Sequence, residues 1–394
     1  MTHAAMKAQT LREQNSSLVL RTIAQSAEPP SRAAVAARTG LTKATVSRLV
    51  EDLMSRHIIR ELEPTYASAG RPSLPLALTQ LAYLSIGIEI NINYIAIVVL
   101  DLSGARVLST VTRTSNRNSE PATVFAAVQK LLDQWEKPAG AHVICVSLCL
   151  PGLVDEHTNH LLTAPNLGWT DLAPLDYLSI PFPEAQFCVL NEADASAFAS
   201  LYTSPGRATK NHTFLYLSGE VGIGSAIMIN GSIFKGKHGW AGEIGHICID
   251  PTGPQCTCGA NGCLEQYLGQ DALLRRAHIP LGETIETFIE RFLAGDDDVR
   301  AALDTASVSL GRGIANVFNL LDLDLVILGG NLGLLLPHFE HILHAELKYR
   351  TLSSRWNTIS VIADEHGVLA SATGACFAAF EHFFRNPYAS MTAS

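Results

Sequence analysis

Residues 239–265 read GWAGEIGHICIDPTGPQCTCGANGCLE. Cys256, Cys258 and Cys263 fall within eight residues, and Gly259 and Gly262 between them let the chain fold back. His246 stands ten residues before Cys256. Three thiolates and an imidazole close a tetrahedral Zn2+ site, and four protein ligands make it structural, with no position left for substrate. The plainer alternative is a set of reduced, packed thiols, the reading given to Cys145, Cys149, Cys188, Cys248 and Cys376. Three thiols so close together beside two glycines favour metal. The same stretch offers Glu243, His246 and Glu265. Two carboxylates and a histidine on one pocket suit a polyhydroxylated ligand, because carboxylates accept hydrogen bonds from sugar hydroxyls. Asn166 in APNLGW and the pair Asn191-Glu192 are further polar candidates, although each alone also suits a turn or a cap.

The chain has 394 residues, enough for two or three domains, and 47% hydrophobic with 16% charged residues excludes disorder and coiled coil. No run of about 18 uncharged apolar residues occurs, so no membrane span is expected. Met1 to Leu20 lacks the apolar core of a secretory signal. Eight cysteines are too sparse for a disulfide scaffold, which places the protein in a reducing cytoplasm. The net charge of −9 speaks against nucleic acid, but it is unevenly spread. Residues 1–80 carry ten Lys/Arg and six Asp/Glu, a net of +4, while residues 81–394 carry −13.

The basic head explains that asymmetry. Gln14 to Ala24 reads as a helix, with Val19, Leu20 and Ile23 on its apolar side. Ser31 caps a short helix through Arg38, Thr39-Gly40-Leu41 turns, and Thr42 caps a third helix to about Arg56. Val46, Leu49, Val50 and Leu53 form its buried stripe, opposite Lys43, Thr45, Ser47 and Arg48. Two short helices about a glycine turn make a helix-turn-helix. Ile58 to Leu62 and the alternating Leu74, Leu76 and Leu78 read as two wing strands around a loop holding Arg71, which suits the minor groove. The candidate DNA contacts are Ser31, Arg32, Thr42, Lys43, Thr45, Ser47, Arg48 and Arg71. A helical bundle for oligomerisation is the alternative; helix lengths, turn and wing together favour DNA.

In the rest, Tyr83 to Leu100 is apolar and β-branched, too long for one strand unless bent. A hairpin turn at Asp101 to Gly104 leads to a partner strand, Arg106 to Thr112. Strands are expected over 142–150, 187–190, 214–217, 225–229 and 325–328, with Asn230-Gly231 as a hairpin turn. Helices are expected over 120–136, 193–201 and 301–321. Hairpins followed by alternating strands and helices indicate mixed α/β layers.

These motifs, PGLVD (151–155), APNLGW (164–169), GIG (222–224), GWAGEIGH (239–246) and CTCGANGCLE (256–265), resemble those of the ROK family of sugar kinases and transcriptional repressors, in particular its xylose-repressor-like branch. The resemblance implies an α/β fold: a winged helix-turn-helix (1–80) and an actin/hexokinase-like body of two ribonuclease-H-type subdomains (81–190 and 191–394), with a ligand cleft between them and the C-terminal helix returning to the first. It implies zinc at His246, Cys256, Cys258 and Cys263, and sugar contacts from Gly152, Asn166, Asn191, Glu192, Glu243, His246 and Glu265. It further implies a homodimer or homotetramer on a palindromic or near-palindromic operator, with a small sugar as effector. The kinase features depart from the family. The DxGGT phosphate loop is here Glu89-Ile90-Asn91-Ile92-Asn93, GTGIG is Glu220-Val221-Gly222-Ile223-Gly224, and Glu192 replaces the catalytic aspartate. Side chains where glycines should stand keep backbone amides from phosphates. The expected function is therefore a sugar-responsive repressor and not an enzyme, with an ATP-dependent sugar kinase bearing a DNA-binding head as the alternative.

Overall fold

Capping residues frame the head. In this computed structural model, which describes residues 3–63 and 74–388, helix α1 (His3–Gln25) begins well before the expected Gln14. Ser31 Oγ accepts from the Ala34 amide at 3.2 Å to start α2 (Arg32–Thr39), and Gly40 ends it at φ 72°. Thr42 Oγ1 accepts from the Thr45 amide at 3.1 Å to start α3 (Lys43–Ser55). Such a cap contributes about 1 kcal/mol. Val46, Leu49, Val50 and Leu53 are buried with Val19, Leu20 and Ile23, as the apolar spacing requires. Strands β1 (Ile59–Glu61) and β2 (Leu76–Leu78) pair antiparallel in the wing. Arg71 and the rest of 64–73 lie outside the described residues.

Two later stretches fold into sheets of one topology. β3 (Tyr83–Ile90), β4 (Tyr94–Asp101) and β5 (Arg106–Arg113) form an antiparallel meander. After α4 (Pro121–Asp133), β6 (His142–Leu150) pairs parallel with β3. A side sheet of β7 (Leu153–Asp155), β8 (His160–Ala164) and β9 (Trp169–Leu172) follows, before β10 (Gln186–Asn191) pairs parallel with β6. Helix α5 (Glu192–Leu201) and the small hairpin β11 (Tyr202–Ser204) and β12 (Arg207–Ala208) lead to the second sheet. There β13 (Phe214–Gly219), β14 (Ile223–Ile229) and β15 (Ser232–Ile233) repeat the meander. Helices α6 (Glu265–Leu268), α7 (Gln270–Arg276), α8 (Ile285–Leu293) and α9 (Asp297–Leu321) come next. β16 (Leu325–Gly329), α10 (Gly330–Arg350) and β17 (Ser360–Ala363) complete it, both strands parallel to β13. In each sheet the first strand is central, with the meander on one side and two parallel strands on the other, the ribonuclease-H-type arrangement.

The 83–100 run is two strands, not one bent strand. The Asn91 amide donates to Tyr94 O at 2.9 Å, and Asn116 Nδ2 donates to Asn91 O at 2.6 Å, which secures a turn without glycine or proline. Both strands are buried along their whole length, so no period-two pattern marked the boundary. The last helix, α11 (Ala370–Arg385), packs on β3, β4 and β6 of the first sheet and on α5. Gly374 permits this: a Cβ there would lie 1.7 Å from Ala195 O. By length and composition alone the 367–385 segment would suffice to cross a membrane, but its apolar surface is spent on these contacts.

Candidate functional site

All seven expected sugar contacts, Gly152, Asn166, Asn191, Glu192, Glu243, His246 and Glu265, line the open cleft between the sheets. They come from distant parts of the chain through the ends of β6, β8 and β10, the start of α5, the turn Ile244–His246 and the start of α6. Two glycines bring the walls together. A Cβ on Gly222 would lie 2.9 Å from Asn166 Nδ2, and one on Gly224 would lie 2.9 Å from Glu192 Oε1.

Asn191 is largely spent on structure. Its Oδ1 accepts from the Ala193 and Asp194 amides at 2.8 and 3.1 Å, and its Nδ2 donates to Gly152 O at 2.9 Å. Glu192 is different: its Oε2 is buried without a hydrogen-bond partner. Burial pushes its carboxyl well above the usual carboxylate range, helped by the like charges of Glu89, Glu243 and Asp194. Burial also raises Glu243, which His246 opposes and Glu265 reinforces.

The turn at 256–263 brings His246, Cys256, Cys258 and Cys263 together, their ligand atoms all within 4.8 Å of one another. Cys258 and Cys263 sulfurs are 3.6 Å apart, and Cys256 Sγ is 3.7 Å from His246 Nδ1. A tetrahedron with Zn–S of ~2.3 Å has S···S edges of about 3.8 Å, so these two spacings match a tetrahedral site, and the whole set stays within 4.8 Å. A hydrogen bond from the Ala260 backbone and the neighbouring thiols hold the Cys258 thiol down at about 7. Burial and those neighbours push Cys263 up to about 12, a conflict that a dication would relieve. Cys256 Sγ donates to Glu265 Oε1 at 2.9 Å, so the cysteine turn and the cleft wall are one unit. Cys248 is exposed, which corrects the expectation of a packed thiol, because the turn directs it outward opposite Cys263.

Sequence reasoning assigned no binding role to the residues at the cleft floor. Glu89 is buried, and its Oε1 accepts from Tyr94 OH at 2.9 Å and Asn91 Nδ2 at 3.2 Å, so side chains fill the turn where a phosphate loop would stand. Burial pushes Glu89 up to about 7, and burial plus the charge of Glu89 pushes Glu220 up to about 8. Lys235 spans the cleft wall, bonding Glu156 and, at 3.3 Å, Asp194. Glu220, in place of the first glycine of GTGIG, and Glu89, in place of the aspartate of DxGGT, were marked by those departures; nothing in the sequence marked Lys235.

In the head, Lys43 and Arg48 are exposed, Thr45 and Ser47 half-buried. No salt bridge among the described residues engages Lys43 or Arg48, whereas Arg32 is held by Glu61 at 3.0 Å and Glu51 at 3.3 Å. The hydroxyls of Ser31 and Thr42 serve as caps. The head sits on α11. Arg21 makes a two-pronged ion pair with Glu381 at 2.9 and 2.7 Å, Ser16 Oγ meets Tyr388 OH at 2.7 Å, and the Arg56 guanidinium stacks 4.8 Å from the Tyr388 ring.

Residues 15–63 match the IclR helix-turn-helix domain. A xylose repressor of Bacillus spizizenii is 29% identical over 374 residues, 94% of this chain and 95% of that protein. The DNA-binding transcriptional dual regulator NagC of Escherichia coli K12 is 26% identical over 355 residues, 85% of this chain and 86% of its own. The crystal structure of a ROK family transcriptional regulator, a homolog of the E. coli MLC protein, superposes with a TM-score of 0.76 at 21% identity, covering 95% of this chain and 97% of that one. A ROK family glucokinase from Streptomyces griseus, solved with glucose and AMPPNP, gives 0.62 at 23% identity, covering 74% of this chain and 98% of that one. At these identities the two structures establish the fold. Residues 85–381, three quarters of the sequence, match the ROK family itself, and with the paired sheets and the cysteine turn in place the chain belongs to that family.

Proposed function

We propose that this chain is a sugar-responsive DNA-binding transcriptional regulator, a repressor whose operator affinity changes when a sugar enters the cleft. One observation carries the reading. A capped helix-turn-helix with free basic side chains at Lys43 and Arg48 is joined through α11 to a cleft of carboxylates, amides and a histidine. In this reading α3 lies in the major groove, with Thr45, Ser47, Lys43 and Arg48 toward the DNA and Arg71 at the adjacent minor groove. Ser31, Arg32 and Thr42 orient the two helices and reach the phosphates at their edges. Residues 1–80 form the DNA-binding domain, 81–190 and 191–394 the two subdomains. His246, Cys256, Cys258 and Cys263 hold a structural Zn2+ that stiffens the Glu243–Glu265 wall. Helix-turn-helix pairs bind half-sites about one helical turn apart, so a homodimer or homotetramer on a palindromic operator follows, in the cytoplasm.

A panel of sugars read by thermal shift, with hits re-assayed for release of labelled operator DNA, tests this. A sugar that raises the melting midpoint should also change DNA affinity. Lys43→Ala and Arg48→Ala should abolish operator binding and keep the sugar response; unchanged DNA affinity in both refutes the assigned groove contacts. Phosphoryl transfer is the second reading, favoured by the Gly329-Gly330 pair where β16 passes into α10. The side chains filling the 89–93 turn argue against it, and turnover of ATP with the same panel would overturn that argument.

A further inference from the structure

The loop after β15 is shaped by Gly236, Gly239 and Gly242, whose φ angles of 65°, 85° and 105° are ones that glycine adopts without strain. The loop is pinned at both ends. The Ala241 amide donates to Lys235 O at 3.2 Å, and Ser225 Oγ donates to Gly242 O. Lys235, at its base, pairs with Glu156 and, at 3.3 Å, with Asp194. Between these fixed points Lys237, His238, Gly239 and Trp240 are exposed. Among the described residues nothing comes within 4 Å of the place a Gly239 Cβ would take.

The tip of this loop brings an indole to the mouth of a polar cleft, which Gly239, Trp240 and Ala241 line. Trp240 is 44% exposed, and of the large apolar side chains exposed among the described residues it is the one that lines the cleft. Tyr94 and Tyr216, which also line it, are buried. The Trp240 ring has the His238 ring as a neighbour, 5.4 Å between centroids. Three residues on stands Glu243 and three further His246, both exposed in the same cleft. A sugar ring has two kinds of surface. Its edge carries hydroxyls, which bond to carboxylates and amides, and its face carries C–H groups, which are apolar. An indole offers a large flat area whose negative ring face attracts C–H hydrogens. The polyol made by opening and reducing the ring keeps the hydroxyls but has no fixed face to lay on it.

We propose that Trp240 is a stacking platform for the effector: the C–H face of a cyclic sugar lies on its indole while Glu243 and His246 take hydroxyls at the ring edge, so that the cleft selects the ring over the open-chain polyol. The proposal rests on the reading of the cleft as the effector site and adds the residue that reads ring shape. The pinned ends of the loop hold the indole at the mouth, and its glycines let it settle on the ring.

Matched pairs test it in the full-length, metal-replete protein by calorimetry and tryptophan fluorescence: xylose against xylitol, glucose against sorbitol, and N-acetylglucosamine against its alditol. The expected result is binding of at least one sugar with a preference of about tenfold or more over its polyol, accompanied by a change in indole emission. The other tryptophans, Trp135, Trp169 and Trp356, do not line the cleft. Trp240→Phe should therefore lose the emission change while sugar affinity stays within about threefold. Trp240→Ala should weaken sugar binding by about tenfold or more and bring the ratio of sugar to polyol close to one. Unchanged sugar affinity in Trp240→Ala, an emission change that survives in Trp240→Phe, or a polyol that binds wild type as tightly as its parent sugar overturns the proposal and leaves the effector reading standing. No binding by any sugar overturns the effector reading itself. The wild-type ratios and Trp240→Phe decide the matter even if Trp240→Ala does not fold.

Discussion

Replacing Glu89 by glutamine should stabilise the protein at alkaline pH, against the usual result of altering a buried, hydrogen-bonded side chain. Burial holds the Glu89 carboxyl at about 7, against an ordinary 4.5. In the unfolded chain it releases its proton near the ordinary value; in the folded chain it keeps that proton until about pH 7. Between these limits the unfolded state binds fewer protons, so stability falls as pH rises and then levels off above about 7. At about 1.4 kcal/mol per pH unit the full loss is roughly 3 kcal/mol. Glutamine still accepts from Tyr94 OH and cannot ionise, and it removes one of the like charges that raise Glu192 and Glu220. The assay is the thermal midpoint of wild type and Glu89→Gln at about pH 5 and pH 8. The two should coincide within a degree or so at the acid end, and the variant should melt about 3–4 °C higher at the alkaline end. A variant that melts below wild type by the same margin at both values would refute burial as the dominant influence on Glu89 and assign it a structural role in its charged form.

The metal can be read directly: purified protein should hold about one Zn per chain, and Cys258→Ser should lose it and lower the thermal midpoint, whereas a stable metal-free wild type would refute the site. Arg21→Ala removes the two-pronged pair with Glu381 and should leave sugar binding intact while weakening the effect of sugar on DNA affinity, measured as the ratio of operator affinities with and without sugar. Gly374→Ala places a methyl 1.7 Å from Ala195 O and should cost about 3 kcal/mol or more, read as a fall in midpoint; a neutral result would mean that α5 and α11 are free to separate.

How far these features were legible depends on what each residue must do locally. Ser31 and Thr42 announced their helices because a cap is a contact between near neighbours in sequence. The Val46–Leu53 stripe was equally plain, one face buried and one exposed. Where an element is buried all round, no period remains to read. Hence the Asn91–Asn93 turn was hidden within one apolar run; α10 and the β7–β9 side sheet, each with an exposed side, were passed over, and α11 was anticipated only as the C-terminal helix that the family resemblance implies. The start of α1 was missed because the reading rested on Val19, Leu20 and Ile23 alone. In the site, the cysteine trio spoke through spacing, and Glu243, His246 and Glu265 lie in the same short stretch. Glu220 was visible only as a lost glycine and Glu89 only as a replaced aspartate of the two phosphate loops. Their joint position on the cleft floor depends on two sheets meeting, which no local pattern encodes.

On the proposed function, the junction of α5 and α11 is the contact through which sugar in the cleft would be linked to DNA at the head. A ligand shifts an equilibrium only by its difference in affinity between the two states, so a sugar alters DNA binding only if the cleft geometry and the head position change together. α5 begins at the cleft with Asn191 and Glu192, and its body lies so close to α11 that Gly374 cannot gain a side chain. α11 in turn carries Glu381, the partner of Arg21, and leads to Tyr388, which meets Ser16 and Arg56. If a sugar touching Glu192 rotates α5, the backbone contact between α5 and α11 would pass that rotation on with little slack, and the pairs between α11 and the head would carry it further. The rigid link lies near the sugar and the exchangeable one near the DNA. That order predicts that core substitutions between α5 and α11 impair folding, while substitutions between α11 and α1 spare both binding activities and uncouple them.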